Sequence, residues 1–311
     1  MTNEILGIHH VTALCSSPAE NLNFYRNVLG LRLVKKTVNF DNPLGYHFYY
    51  GDRTGKPGTL MTFFPSPHWK KGIPGSREVA RTDFAVPAGS LGFWSDRLKQ
   101  LGVAITRVDG LNGQPRVEFT DHDHTRLSIV EDNLSEVNAE PSMSTVPQKH
   151  AITGIASVAI RVNQAQDTVR FLTDSFGFKS LGQVGNSAWF GVSAHVPGQK
   201  IEVIEDAAVA AATLGNGSVH HVAWRVADDA SQARVVDAIR GHVFSVTEMR
   251  DRNYFRSVYF REPGHVIFEV ATDAPGFLID EDEATLGEAL KLPKQFEPRR
   301  AEIESALSEN E

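Results

Sequence analysis

The sequence holds two pairs of adjacent histidines, His9-His10 and His220-His221, and a glutamate, Glu269, distant from both along the chain. Imidazole nitrogens and carboxylate oxygens are ligands for divalent first-row metals. Two imidazoles with one carboxylate make the facial triad, which leaves coordination positions open for non-haem Fe(II) and its reactants. A lone histidine in a strand is more often a packed structural residue than a ligand. These residues differ because they recur at equivalent places of an internal repeat.

When Ile8-His9-His10-Val11 is set beside Ile155-Ala156-Ser157-Val158, the same offset carries Phe24–Gly30 onto Phe171–Gly177. A glycine closing a helix is the usual left-handed cap. Two further copies run through Val79–Val86 and Val219–Val226. Their tails agree: Phe119-Thr120-Asp121-His122 leads to Ser128 as Phe260-Arg261-Glu262-Pro263 leads to Glu269. Each copy reads as a strand, an amphipathic helix and three more strands, with helices predicted near 19–29, 89–101, 165–176 and 230–240. The expectation is an α+β protein of four βαβββ modules: module 1 over 1–75, module 2 over 76–134, module 3 over 150–206 and module 4 over 217–275. Residues 135–149, polar and containing Pro141 and Pro147, read as a linker between halves. Residues 276–311 read as a tail with a helix near 297–308.

Across the copies the first-strand position carries His10, Arg81, Ser157 and His221. The last-strand position carries Ser128, Glu202 and Glu269 in copies two to four, with no evident counterpart around Met61 in copy one. Arg81 stays protonated and ligates nothing. Only copies one and four keep an imidazole, and ligands must converge on one ion. Module 1 is therefore expected to pair with module 4, and module 2 with module 3, with His10, His221 and Glu269 as the metal ligands. A fourth protein ligand would suit a Lewis-acid isomerase, but Thr59-Leu60-Met61-Thr62-Phe63-Phe64 offers no carboxylate. Asp121-His122-Asp123-His124 has the composition of a ligand cluster, yet the repeat puts it in a turn. His47, His68, His150, His195, His242 and His265 stand singly and are read as surface or structural residues.

Composition bounds the rest. A chain of 311 residues exceeds what one core usually supports, which suggests two domains. A net charge of −7 gives no electrostatic footprint for nucleic acid. The one cysteine, Cys15, excludes an internal disulfide. Met1–Gly7 lacks the features of a signal peptide, and no apolar run approaches the roughly 20 residues that span a bilayer. The expectation is a cytoplasmic protein without a membrane partner.

The segments Gly7-Ile8-His9-His10-Val11-Thr12, Phe24-Tyr25-Arg26-Asn27-Val28-Leu29-Gly30-Leu31 and Tyr259-Phe260-Arg261-Glu262-Pro263-Gly264-His265 are similar to motifs of the vicinal oxygen chelate superfamily. That superfamily includes glyoxalases, bleomycin-resistance proteins and extradiol dioxygenases. With its doubled histidines in units one and four and Phe63-Phe64-Pro65 before a glycine-containing loop, the chain resembles hydroquinone-type ring-cleaving dioxygenases over nearly its whole length. The resemblance implies two vicinal-oxygen-chelate-type domains and an Fe(II) cofactor, with Mn, Zn or Ni as occupants of the purified protein. It implies a small hydroquinone- or catechol-type aromatic and O2 as partners, and leaves a homo-oligomer open. It places His9 and His220 beside the ligands and Thr12, Arg252 and Tyr259 along the pocket. Tyr259, His9 or His220 would move protons, and Arg252 would hold an anionic oxygen. Regular strand alternation would instead turn His9 and His220 away from the cup, and only a local distortion would change that. The alternatives are a glyoxalase-like isomerase and a non-catalytic binding protein of the same fold.

Overall fold

The computed structural model describes residues 4–132, 144–192 and 200–309; most of the expected linker and His195 lie outside them. Unit one comprises β1 (Gly7–Cys15), α1 (Pro18–Leu22), β2 (Arg32–Asn39), β3 (Asn42–Gly51) and β4 (Leu60–Pro65). Unit two comprises β5 (Glu78–Val86), α2 (Leu91–Gln100), β6 (Thr106–Asp109), β7 (Pro115–Thr120) and β8 (Arg126–Glu131). Unit three comprises β9 (Gly154–Val162), α3 (Gln166–Arg170), β10 (Lys179–Val184), β11 (Ser187–Gly191) and β12 (Lys200–Glu205). Unit four comprises β13 (Val219–Val226), α4 (Asp229–Ile239), β14 (Arg250–Asp251), β15 (Arg256–Arg261) and β16 (Ile267–Thr272). This is the α+β architecture of repeated βαβββ units.

Local chemistry sets the helices. Ser17 caps α1 by accepting from the Glu20 N–H, and Pro18 fills the first turn, where its missing N–H costs nothing. Asp228 caps α4 through the Ser231 N–H. The helices of units one and three widen at their ends, where Leu29 N–H reaches the Phe24 carbonyl and Phe176 N–H the Phe171 carbonyl. Gly30 and Gly177 then stop them with φ of +73° and +69°. Tyr25, Phe171, Leu172 and Ile239 are fully buried beneath the helices, each such side chain contributing about 1.5–3 kcal/mol.

Every first strand pairs in parallel with the last strand of its own unit: β1 with β4, β5 with β8, β9 with β12 and β13 with β16. First strands then join different units, antiparallel, β1 to β13 and β5 to β9. β1 and β5 are buried at every position because both faces are covered. The two pairs join into one sheet through the Val219–Val79 pairing of β13 and β5.

Each first strand breaks its alternation once. β1 takes two steps from Ile8 to His10 while β13 takes one, which makes His9 an extra residue, and β13 does the same at His220. β5 and β9 repeat the break at Ala80 and Ala156. These four positions are equivalent in the repeat. A bulge of this kind re-aims a side chain, so the regular alternation expected to turn His9 and His220 away from their neighbours does not hold there.

Beyond β16 the tail crosses the outside of β2. Lys35, fully buried, donates to Asp280, Glu281 and the Phe277 carbonyl. Phe277 packs against Tyr254 and Tyr49. A short turn, Glu297–Arg299, leads into α5 (Arg300–Ser308), which buries Ile303 and Leu307. Among the described residues no helix is long and apolar enough to cross a membrane.

Candidate metal centre

β1, β13 and β16 lie side by side, and they bring His10, His221 and Glu269 together. His221 Nε2 lies 2.9 Å and His10 Nε2 3.3 Å from Glu269 Oε2, with 3.3 Å between the two nitrogens. Metal–ligand bonds of about 2.0–2.2 Å meeting at right angles put donor atoms about 2.8–3.1 Å apart. The 2.9 Å separation falls in that range and the two of 3.3 Å slightly exceed it, so the three atoms are close enough to bind one ion. Glu269 Oε2 is buried without a hydrogen-bond donor, while Ser257 Oγ donates to Oε1. A buried carboxylate with one oxygen unpartnered fits a divalent cation.

The doubled histidines fix which nitrogen faces that point. His9 Nε2 lies 3.2 Å from the Thr272 carbonyl, which only accepts, so Nε2 carries the proton. Burial, reinforced by His10, lowers His9 to a pKa of about 3, so the ring is neutral and its Nδ1 is bare. The 2.9 Å contact between the Nδ1 atoms of His9 and His10 then takes its hydrogen from His10. His10 Nε2 is left with a lone pair toward the cluster. An outer partner of this sort fixes a ligand's tautomer and ring orientation. His220 and His221 share the same Nδ1 contact at 2.8 Å, and burial beside His221 lowers His220 to about 3. With His221 donating from Nδ1, His220 keeps its own proton on Nε2.

The cluster opens into a cavity of about 420 Å³ walled by Tyr49, Phe64, Trp69 and Phe255, within the range of small-molecule sites. Tyr259 stands directly opposite Glu269 across β15 and β16, and its ring lies 5.7 Å from that of His221. Burial and Glu269 push its phenol up, Arg252 offsetting only part of this, so the phenol keeps its proton. Arg252 Nε donates to Tyr259 Oη at 3.2 Å, and Arg252 and Arg250 both bond Asp41 at the cavity rim. A tight turn with Asn253 at φ +65° brings Arg252 and Phe255 to the same wall.

Other expected residues sit differently. His220 lines the cavity, but His9 and Thr12 are buried behind its wall. Thr12 Oγ1 bonds Thr62 Oγ1 at 2.8 Å. His47, read from sequence as a surface or structural singleton, lines the cavity and bonds Thr62 Oγ1 through Nε2 at 3.0 Å. The register also supplies the missing counterpart in copy one. Glu269 pairs with Ala223, two beyond His221, and Thr62 pairs with Thr12, two beyond His10. Thr62 is thus the residue of unit one equivalent to Glu269. His122 lies in a turn beside Asp123, as the repeat indicated.

In the β5–β9 pair the equivalent positions hold no ligand set. Arg81 takes the place of the ion, bonding Glu202 at 2.5 Å and Asp83 through two nitrogens. Ser128 and Ser157 both donate to Asp83 at 2.6 Å.

Comparison with known proteins gives concordant findings. The family model described as the glyoxalase/bleomycin resistance protein/dioxygenase superfamily matches residues 7–129 and 154–270. A Bacillus subtilis (strain 168) protein named “Putative ring-cleaving dioxygenase MhqO” is 40% identical over 307 residues, spanning 99% of this chain and 97% of its own. The chlorohydroquinone/hydroquinone 1,2-dioxygenase of Sphingobium indicum is 30% identical, spanning 97% of this chain and 96% of its own. A crystal structure from Bacillus subtilis, described as a “putative dioxygenase”, superposes with a TM-score of 0.93 at 41% identity, covering 98% of this chain and 97% of its own.

Proposed function

The chain belongs to the glyoxalase/bleomycin resistance protein/dioxygenase superfamily, and from that membership and the donor cluster we propose that it is an Fe(II)-dependent ring-cleaving dioxygenase acting on a hydroquinone- or catechol-type aromatic and inserting both atoms of O2. One observation carries the reading. Three protein donors converge in one cluster, and the residue of unit one equivalent to Glu269 is Thr62, which is no carboxylate and whose hydroxyl is already committed to Thr12 and His47. A three-donor site leaves room for two reactants at once, as oxygenation requires. The names of the relatives point the same way.

When bound to His10, His221 and Glu269, Fe(II) would lower the pKa of a phenol and supply the redox link to O2. The chain's own residues do the rest. The aromatic walls, Tyr49, Phe64 and Phe255, bury a substrate ring and exclude water. Tyr259, protonated and adjacent to Glu269, is the proton donor in reach of a ring oxygen. Arg252 holds negative charge as it develops, and its bond to Tyr259 Oη leaves the phenol proton for transfer. His220 offers an Nε2–H from the opposite wall. His9 and Thr12 act by orienting His10 and Thr62.

Anaerobically loaded Fe(II) enzyme, given hydroquinones and catechols with isotopically labelled dioxygen, is expected to consume oxygen and place both labelled atoms in the ring-opened product. The Zn(II) form is expected to be inert toward them, since zinc has no redox chemistry. No oxygen uptake with any dihydroxybenzene, together with turnover of a thiol adduct by the Zn(II) form, would establish the isomerase reading in its place.

A further inference from the structure

His47 is the one cavity-lining histidine with no counterpart in the other units. It stands on β3, two strands from β1, and so about 10 Å across the sheet from the ligand strand. Its ring is held between Tyr49 and Phe64, with centroids at 4.0 and 4.3 Å. Nε2 meets Thr62 Oγ1, and Thr62 Oγ1 meets Thr12 Oγ1. Among the described residues Nδ1 has no hydrogen-bond partner.

Proton counting orients this chain. Each hydroxyl has one hydrogen to give. If His47 donated from Nε2, Thr62 would donate to Thr12, and the fully buried Thr12 hydroxyl would hold a proton with no acceptor, a costly arrangement. In the opposite sense Thr12 donates to Thr62, Thr62 donates to Nε2, and every buried proton is placed. A neutral ring accepting at Nε2 carries its proton on Nδ1, toward the cavity. Burial, with His10, His221 and Arg252 adding to it, keeps the ring neutral.

We propose that His47 presents Nδ1–H into the cavity as a fixed donor to a substrate oxygen other than the one on the metal, with Thr62 and Thr12 as the residues that fix its tautomer. This rests on the ring-cleaving reading above and adds to it a residue that distinguishes substrates. A second oxygen across the ring reaches this donor. An oxygen adjacent to the metal-bound one does not.

Dissociation constants of hydroquinone, 4-methoxyphenol and phenol, measured anaerobically on the metal-loaded enzyme by fluorescence quenching, test it without turnover. The two para-oxygenated ligands are expected to bind about five- to tenfold more tightly than phenol. His47→Phe, which keeps a ring and removes the donor, should erase that ratio, and His47→Gln should restore part of it. Thr62→Val should shrink the ratio, and Thr62→Ser should recover it. An unchanged ratio in His47→Phe overturns the assignment. Methoxyphenol binding no better than phenol, with hydroquinone still preferred, overturns the direction of donation. Oxygen uptake on hydroquinone is read separately, so loss of this inference leaves the dioxygenase reading standing, and the converse also holds.

Discussion

At the scale of single residues the candidate metal centre rests on one carboxylate oxygen and two imidazole nitrogens. Replacing Glu269 with Ala removes the only anionic donor, and we expect loss of stoichiometric iron with the fold kept. Metal analysis beside circular dichroism reads both. Full occupancy in Glu269→Ala would exclude the carboxylate from the ligand set. Tyr259→Phe keeps the bulk opposite Glu269 and removes only the hydroxyl, the proposed proton donor and the acceptor for Arg252. It is expected to lower kcat by about 10²–10⁴ while leaving metal content unchanged. Equal loss of metal and rate would make Tyr259 a packing residue. The convergence of His10, His221 and Glu269 was legible in the sequence because the repeat filters out every histidine that lacks a partner position. That same filter hid His47, which occurs in unit one only and so had nothing to be compared with.

At the scale of elements, the fold's least legible feature is the bulge. β1 is buried at all nine positions, so its burial does not mark the extra residue. Alternation therefore turned His220 away from a cavity that it lines, while His9 does lie behind the wall; the helices, their closing glycines and the order of strands within each unit followed from periodicity and turn glycines. In the β5–β9 pair, Arg81 stands where the other pair would hold its ion. Burial alone would raise Asp83, but Arg81, Ser128 and Ser157 outweigh it and hold the carboxyl below the usual 3.8. A carboxyl depressed in the folded state contributes stability that is complete above pH about 3.8 and lost as pH falls through the lower folded value. Asp83→Asn is thus expected to flatten the acid limb of stability below pH 4. It should also cost about 3 kcal/mol at neutral pH by leaving Arg81 short of a counter-charge. Denaturant melts between pH 3 and 7 measure both. An acid limb as steep as wild type would place that dependence on another carboxylate.

At the scale of the whole molecule, the strand joins β1–β13 and β5–β9 cross the sequence halves, so neither half contains a complete ligand set. A fragment of residues 1–132 keeps His10 but lacks His221 and Glu269, and we expect it to retain no iron through gel filtration. Mixing it with residues 144–311 is expected to restore binding; retention by the first fragment alone would contradict the crossed arrangement. This pairing was deduced from where imidazoles persist, whereas the tail's grip on Lys35 was not, because Asp280 and Glu281 belong to no repeat. The crossed strands also impose an order in time. His10 leaves the ribosome 211 residues ahead of His221, an interval of about 10–40 s at ordinary translation rates. Throughout it the nascent protein carries His10 without His221 or Glu269. A candidate centre so divided is complete only once Glu269 has been made, and a product truncated before it cannot carry the set.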